Sequence, residues 1–490
     1  MKYILSVDIG TTSAKALVIS QRGDVLASTR EFYPTHHPLP DFSEQDPQEI
    51  FNAVEKIIRH TADKVKGNVE GVCFSSAMHS LMAMEESGEA LTPLIIWADL
   101  RSKNEALEIA STLGQKIYEE TGTPIHSMSP LCKLLWLKKN REELFKKTTR
   151  FVGIKEYIWF KLFHEFAIDH SIASATGLFN TITKSWSTTA LETAGVSAEQ
   201  LSIPCSVYKI FNNLDKQRLN DVGLAPTVQW IIGASDGCLA NLGSDAMEEQ
   251  TLSLTIGTSG AVRKKVKKNY PDAQGRTFHY LLDEETIISG GATNNGAILV
   301  QWFSEKFLKE KVDVKLFGER AATIPAGSDG LIFLPYLLGE RAPVFDPEST
   351  GVFFGVRQKH SIEHFMRAIL EGIGYALFSI AEIVEVNSGA YQKVVASGGF
   401  IKSPQWVQIV ADIFGKEVTV RGTEDASALG AALMGFKALG VETNFKFPTE
   451  KIYYPDKTTH EAYGHYFAVF ENLYPHLSVD FHLLNKITKV

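Results

Sequence analysis

Carboxylates and glycine–hydroxyl turns at the ends of apolar runs are the features of this sequence whose spacing could do chemistry. Asp8-Ile9-Gly10-Thr11-Thr12-Ser13 follows Tyr3-Ile4-Leu5-Ser6-Val7 and precedes Ala16-Leu17-Val18-Ile19. The two apolar runs predict strands, with the Gly and hydroxyl residues at the tip of a hairpin. Backbone N–H groups and hydroxyls at such a tip converge on an anion such as phosphate. Asp8, at the strand end, is placed to hold a hydrated Mg²⁺ against that phosphate. Gly and Thr also fill ordinary turns, so the loop alone leaves both readings open. A second copy, Leu254-Thr255-Ile256-Gly257-Thr258-Ser259-Gly260-Ala261-Val262, favours the phosphate. Two like hairpins half a chain apart suggest two similar domains facing one nucleotide.

Asp236 closes the apolar run Val228 to Gly233, within Gly233-Ala234-Ser235-Asp236-Gly237. A carboxylate at a buried strand end can face a cleft and accept the proton of an attacking hydroxyl. An Asp in a plain turn is the bland alternative. Met78-His79 follows the run ending at Ser75, where His79 could donate to substrate hydroxyls; a satisfied structural His is the alternative. Trp97, Asp99 and Arg101 follow the next strand. They could build a sugar-binding wall, or Asp99 and Arg101 could only brace the loop. Ser397-Gly398-Gly399 lets backbone approach a flat ligand, and Gly290-Gly291-Ala292-Thr293-Asn294-Asn295-Gly296 has the same character. Both are equally plain turns when taken alone.

The elements that must position these residues alternate between strand and helix. Gln21-Arg22-Gly23-Asp24 turns the first hairpin into Val25-Leu26-Ala27, a meander. Asp46-Pro47 starts a helix, with Asp as cap and Pro at its first position. Its apolar residues Ile50, Val54, Ile57 and Ile58 keep helical spacing through Lys66. Strands are predicted at Val69 to Ser75 and at Ile95-Ile96-Trp97, and helices at 102–121 and 131–150. Residues 167–185, rich in Ser, Thr and Ala, read as turns and short strands. The second half repeats the pattern. A strand Ile287 to Gly291 leads to a helix Gly296 to Leu308. A long helix is striped by Ile362, Phe365, Ile369, Ile373, Ala376, Ile380 and Ile383. A strand Val394 to Ala396 precedes helices Pro404 to Phe414 and Ser427 to Leu439, the last stopped by Gly440. This is an α/β chain of two domains, 1–246 and 247–490, with ligands expected in the cleft between the halves.

Composition narrows the function classes. At 490 residues the chain exceeds one core. It is 44% hydrophobic and 22% charged with net charge −8, an ordinary globular balance. That charge speaks against a nucleic-acid partner, and the one basic run, Arg263 to Lys268, reads as a solvated strand end. The sequence has no apolar run long enough for a membrane span. Cys73, Cys132, Cys205 and Cys238 lack metal or C-x-x-C spacing and read as reduced residues of a cytoplasmic protein.

Two longer stretches are more specific. Met128-Ser129-Pro130-Leu131-Cys132-Lys133-Leu134-Leu135-Trp136-Leu137-Lys138-Lys139-Asn140 is one. The other runs from Gly351-Val352-Phe353-Phe354-Gly355-Val356 through His364-Phe365-Met366-Arg367-Ala368-Ile369-Leu370-Glu371. Together with the hairpins, in this order, they resemble the FGGY family of carbohydrate kinases along nearly the whole chain. The resemblance implies two ribonuclease-H-like domains of the actin/hexokinase type around a central nucleotide cleft. It implies ATP and Mg²⁺ as cofactors, a small-molecule sugar or sugar-acid partner, and leaves a homodimer open. By the same resemblance Asp8, Gly10, Thr11 and Thr12 form the first phosphate loop, with Asp8 toward the metal. Gly257 and Thr258 form the second, with Gly296 beside the nucleotide, and Gly398, Gly399 and Ser403 form the adenosine loop. Asp236 is implied as catalytic base, and Met78, His79, Asp236 and Arg101 as substrate contacts. Xylulose-type members carry Gly-Gln-Met-His where this chain has Ser76-Ala77-Met78-His79, which is similar to gluconate-type members. A substrate carboxylate wants a cation, for which Arg101, Lys155 and Arg341 are candidates. The expected reaction is phosphorylation of D-gluconate at its 6-hydroxyl. A pentulose kinase is the alternative, and an actin-like ATPase switch a third class.

Overall fold

The computed structural model describes residues 1–66, 68–422 and 425–488. It divides into two compact units. The first comprises Met1–Gly243, Val266–Ile288 and Asp425–Lys446; the second comprises Ser244–Lys265, Ser289–Glu424 and Phe447–Val490. The first unit therefore gathers two segments that follow residue 246. Apolar periodicity is a local signal and does not report which unit a helix packs on.

In the first unit, β1 (Tyr3–Ile9) and β2 (Ser13–Ser20) form an antiparallel hairpin, and β3 (Val25–Phe32) extends it. The helix α1 (Pro47–Lys64) follows, and β4 (Gly71–Ser76) runs parallel to β1. With β5 (Ile210–Phe211) and β6 (Gln229–Ser235), the sheet order is β5-β6-β4-β1-β2-β3. Ile4, Leu5, Val7 and Ile9 are all buried, as expected of a strand covered on both faces. Asp46 caps α1 by accepting from the N–H groups of Gln48 and Glu49. The helix α2 (Asp236–Gly243) starts directly from β6. The helix lying against α2 and β1 comes from far along the chain, at Ala426–Ala438.

Gly233 explains how β6 hands over to α2. Its φ is +70°, and a Cβ there would lie 1.8 Å from the Phe74 carbonyl oxygen. The β6–β4 register shifts between Ile231 and Ala234. This is a bulge that only glycine fits, and it re-aims the strand end immediately before Asp236.

The second unit repeats the hairpin as β7 (Thr251–Ile256) and β8 (Gly260–Val266). Its sheet continues with β9 (Ile287–Thr293), β10 (Lys393–Ser397), β11 (Glu417–Arg421) and β12 (Thr449–Tyr453), in the spatial order β9-β8-β7-β10-β11-β12. The striped helix spans Ile362–Ser388 and buries Ile369, Ile373, Ala376 and Ile380. Lys264, from the basic run, is buried and donates to the Ser388 carbonyl at 3.0 Å, where the helix ends.

Several expected elements differ. The helix expected over 102–121 is two, Lys103–Ser111 and Gly114–Thr121. The Ser111 and Thr112 hydroxyls donate back to the Glu108 carbonyl, and the first helix ends there. The helix expected over 131–150 is Pro130–Asn140 and Glu142–Lys147, interrupted at Arg141 with φ −139°, and Arg150–Val152 is a strand. Residues 167–185 contain a short helix, His170–Ser174, because Asp169 accepts from the Ile172 N–H. Of the Ile95 to Trp97 run only Ile95 pairs as a strand, Leu94–Ile95. The helix expected from Gly296 begins at Ile298 and becomes a π-helix over Ser304–Leu308. The long terminal helix Lys457–Thr488 was not expected. No described helix is long and apolar enough to cross a membrane. The four cysteines are thiols rather than disulfides, three of them buried.

Candidate functional site

In the first unit the hairpin tip is closed by Gly10 N–H donating to the Ser13 carbonyl at 3.0 Å. Three side chains hold it from outside. Tyr33 donates to the Gly10 carbonyl at 2.5 Å, Gln45 Nε2 to the Thr11 carbonyl at 2.6 Å, and the Trp97 indole to Thr11 Oγ1 at 2.8 Å. Thr11 Oγ1 accepts from Trp97, so its own O–H is left to donate. Thr12 is exposed at the tip. Tyr33 and Gln45 carried no motif in the sequence; only the fold brings them here.

Asp8 ends β1 between two hydroxyls. Ser75 Oγ donates to Oδ1 at 2.6 Å and Ser427 Oγ to Oδ2 at 2.7 Å. Burial raises its pKa, the two hydroxyls oppose that, and Asp425 adds to it. Asp425 is ion-paired with Lys15. A half-buried carboxylate beside a second one is a donor set that a hydrated divalent cation suits. Among the described residues no three acidic, His or Cys side chains cluster as a ready metal cage.

Asp236 is the first residue of α2, half-buried, with Oδ1 accepting from the Gly237 N–H at 2.6 Å. The strand end before it is pinned. Ser171 Oγ meets Ser235 Oγ at 2.9 Å and accepts from the Ser235 N–H. Lys155 Nζ donates to Asp169 Oδ2 at 2.7 Å and to the Ala234 carbonyl at 3.3 Å. Lys155 thus serves a buried carboxylate and the backbone beside Asp236.

His79 is buried, in left-handed backbone with φ +68°. Its Nδ1 lies 2.7 Å from the Ala175 carbonyl oxygen, and Tyr280 packs edge-on against the ring at 5.8 Å. A carbonyl only accepts, so Nδ1 carries the proton and Nε2 of the neutral ring is an acceptor. Met78 lines a small hollow with Gly10, Thr11, Ala77 and Trp97.

Arg101 has a bracing position. Its Nε and Nη2 bond both oxygens of Asp99 at 2.8 Å, and Nη2 also bonds Glu44 Oε1 at 2.6 Å. The guanidinium stacks 3.7 Å from the Phe42 ring centroid, and its side chain is 5% exposed. Arg341, in the second unit, donates to the Thr293 carbonyl at 3.1 Å.

The second hairpin tip is held from behind. Gly296 N–H donates to the Thr258 carbonyl at 3.1 Å and Ala297 N–H to the Gly257 carbonyl at 2.7 Å. A Cβ on Gly296 would lie 2.5 Å from the Ser259 carbonyl oxygen and 2.6 Å from that of Gly257. Glu340 fixes the turn before it, accepting from Thr293 Oγ1 at 2.6 Å, the Asn294 N–H at 3.1 Å and Asn295 Nδ2 at 3.2 Å. Burial pushes Glu340 up to about 7 against those bonds. Thr258 and Gly399 line one cavity of about 710 Å³ with Ala297, Gln301 and Lys402. Gly398 follows β10 directly. Ser403 is elsewhere employed: fully buried, it caps the helix Pro404–Phe414 by accepting from the Trp406 N–H.

The model for the FGGY family of carbohydrate kinases, N-terminal domain, matches residues 3–243, and that for the C-terminal domain matches residues 252–439. The chain belongs to the FGGY family of carbohydrate kinases. Like other FGGY kinases it is a phosphotransferase that uses ATP. It is 39% identical to the gluconokinase of Bacillus subtilis (strain 168), over 92% of this chain and 90% of that protein. Two solved structures, both from Lactobacillus acidophilus, have the same FGGY fold at 32% identity. The gluconate kinase superposes with TM-score 0.93, covering 99% of each chain. A ligand-bound xylulose kinase gives 0.94, covering 99% of this chain and 100% of that one.

Proposed function

We propose that this kinase phosphorylates D-gluconate at its 6-hydroxyl, giving 6-phosphogluconate and ADP. The observation that carries this reading is the 39% identity to a gluconokinase over 92% of the chain. Ala77, in place of the amide of xylulose-type chains, supports it. A pentulose is the second reading, favoured by the TM-score of 0.94 to a xylulose kinase.

The residues divide the work. In the second unit the cavity floored by Gly399 takes adenosine, and the Gly257–Thr258 tip takes the phosphates. In the first unit the Gly10–Thr12 tip supplies N–H and hydroxyl donors to the transferred group. Asp8 would hold a magnesium ion, whose charge, when bound, would offset that of the phosphates. The 6-hydroxyl oxygen attacks the γ-phosphorus as its proton passes to Asp236. The new O–P bond forms as the bond to the β-phosphate oxygen breaks, and ADP leaves. His79 Nε2 accepts from a substrate hydroxyl and orients the chain. Arg101 and Lys155 each face buried carboxylates, so we assign the substrate carboxylate to neither.

NMR of the product from gluconate and Mg-ATP tests this reading. Phosphorus coupled to the C6 protons is expected. No phosphorylated product, or a phosphate at another carbon, overturns it.

A further inference from the structure

Lys133 is fully buried, and the chemistry above gives it no task. It stands on the helix Pro130–Asn140, whose first turn Ser129 caps. Its Nζ donates to three backbone carbonyls: His79 at 2.5 Å, Ile96 at 2.8 Å and Ile95 at 3.3 Å. An ammonium has three N–H donors and no acceptor, so three carbonyls satisfy it completely. Burial pushes its pKa down to about 7, while Asp99 opposes that. A neutral amine would turn a lone pair onto one of the carbonyls, so this geometry belongs to the charged form.

The three carbonyls come from two separate stretches of chain. One is the turn that carries Met78 and His79; the other is the strand Leu94–Ile95 and its exit toward Trp97. His79 sits in backbone that a side-chain-bearing residue adopts only when its surroundings enforce it. Ala175 fixes the imidazole and Tyr280 its outer face. Neither fixes the carbonyl of the left-handed residue; Lys133 does. The stretches that border the hollow lined by Met78 and Trp97 are also paired through the Leu81 and Ile95 backbones, but that pairing leaves the His79 carbonyl to Lys133.

We propose that Lys133 is a positioning residue for the polyol: by tying the His79 carbonyl to Ile95 and Ile96, it sets His79 Nε2 where a substrate hydroxyl can use it. It touches no reacting atom. This deepens the gluconate reading and rests on it for the substrate, while the pocket concerned is the same for any polyol.

Steady-state kinetics of the full-length protein decide it, with Lys133→Met, His79→Ala and the double variant assayed beside the wild type. If Lys133 acts through His79, Lys133→Met raises the KM for gluconate by up to ~10²-fold, as misplacement by about 1 Å does. The KM for ATP stays where it was. The double variant is then close to His79→Ala alone, because residues acting as one unit are not additive. Independent, multiplying effects overturn the proposal, as does an unchanged gluconate KM in Lys133→Met. If Lys133→Met fails to melt cooperatively, Lys133→Gln, which keeps two N–H donors, takes its place in the same cycle. Should the wild type prefer xylulose, the cycle runs on xylulose. The gluconate reading would then fall while Lys133 is still tested.

Discussion

Asn in place of Asp236 keeps the side-chain shape and the hydrogen bond from Gly237 but removes the base. The Asp236→Asn enzyme is expected to bind ATP normally by calorimetry and to lose ~10²–10⁴-fold in kcat. Near-wild-type turnover in a folded variant would remove Asp236 from the mechanism. Arg101 carries the opposite expectation. Its substitution by Met strands Asp99, which is fully buried, and removing one partner of a buried pair costs ~3–5 kcal/mol. A fall of the melting temperature is expected first. An unchanged melting temperature with a raised gluconate KM would return Arg101 to the substrate. Sequence pointed to both residues because charged groups at strand ends are visible in a linear pattern. It left open whether Arg101 meets substrate or braces the loop with Asp99; Glu44 and Phe42, which also enclose it, lie far along the chain and gave no local signal. Ser403 shows the same limit: a Ser before Pro404 can be a loop residue or a helix cap, and here it caps the helix Pro404–Phe414.

At the scale of elements, the hairpin tips were legible because a short Gly–Thr turn between apolar runs has few other structures. What supports them was not. Tyr33 and Gln45 at the first tip and Glu340 at the second carried no motif, while Trp97 and Gly296 stood out only as candidate ligand contacts and not as supports. Gly296→Ala tests this support. The added Cβ would lie 2.5 Å from the Ser259 carbonyl oxygen, so the second tip must shift. The KM for ATP is expected to rise by ~10-fold or more while the gluconate KM holds, since loop misplacement of an ångström is costly. An unchanged ATP KM would mean that the tip does not depend on Gly296. The broken helices within 102–121 and 131–150 mark another limit. Apolar spacing continues through both breaks, and side-chain hydroxyls bonding back to carbonyls end the first one.

For the whole molecule, the repeat of two hairpins gave the two-domain character, yet two segments beyond residue 246 fold with the first unit. Ser427 is one consequence, reaching Asp8 across most of the chain. Stability against pH is also a property of the whole. Burial pushes Glu156 in the first unit and Glu340 in the second up to about 7, from an ordinary 4.5. The folded state therefore holds their protons more tightly than the unfolded state. Their contribution is full below pH 4.5 and is lost as pH rises toward 7. Each is worth up to about 3 kcal/mol over that range. Glu340→Gln cannot ionise, so thermal melts are expected to show the variant gaining on the wild type between those two pH values. A constant gap across the series would mean that Glu340 does not titrate there. The central claim is that this FGGY kinase acts on a sugar acid. The direct measurement is ADP release with Mg-ATP and gluconate, xylulose, ribulose, glycerol or no polyol. The account predicts a kcat/KM for gluconate ~10²-fold or more above every other polyol, and little ADP without one. A higher value for xylulose would contradict the substrate, and equal ADP release with and without polyol would contradict the kinase reaction itself.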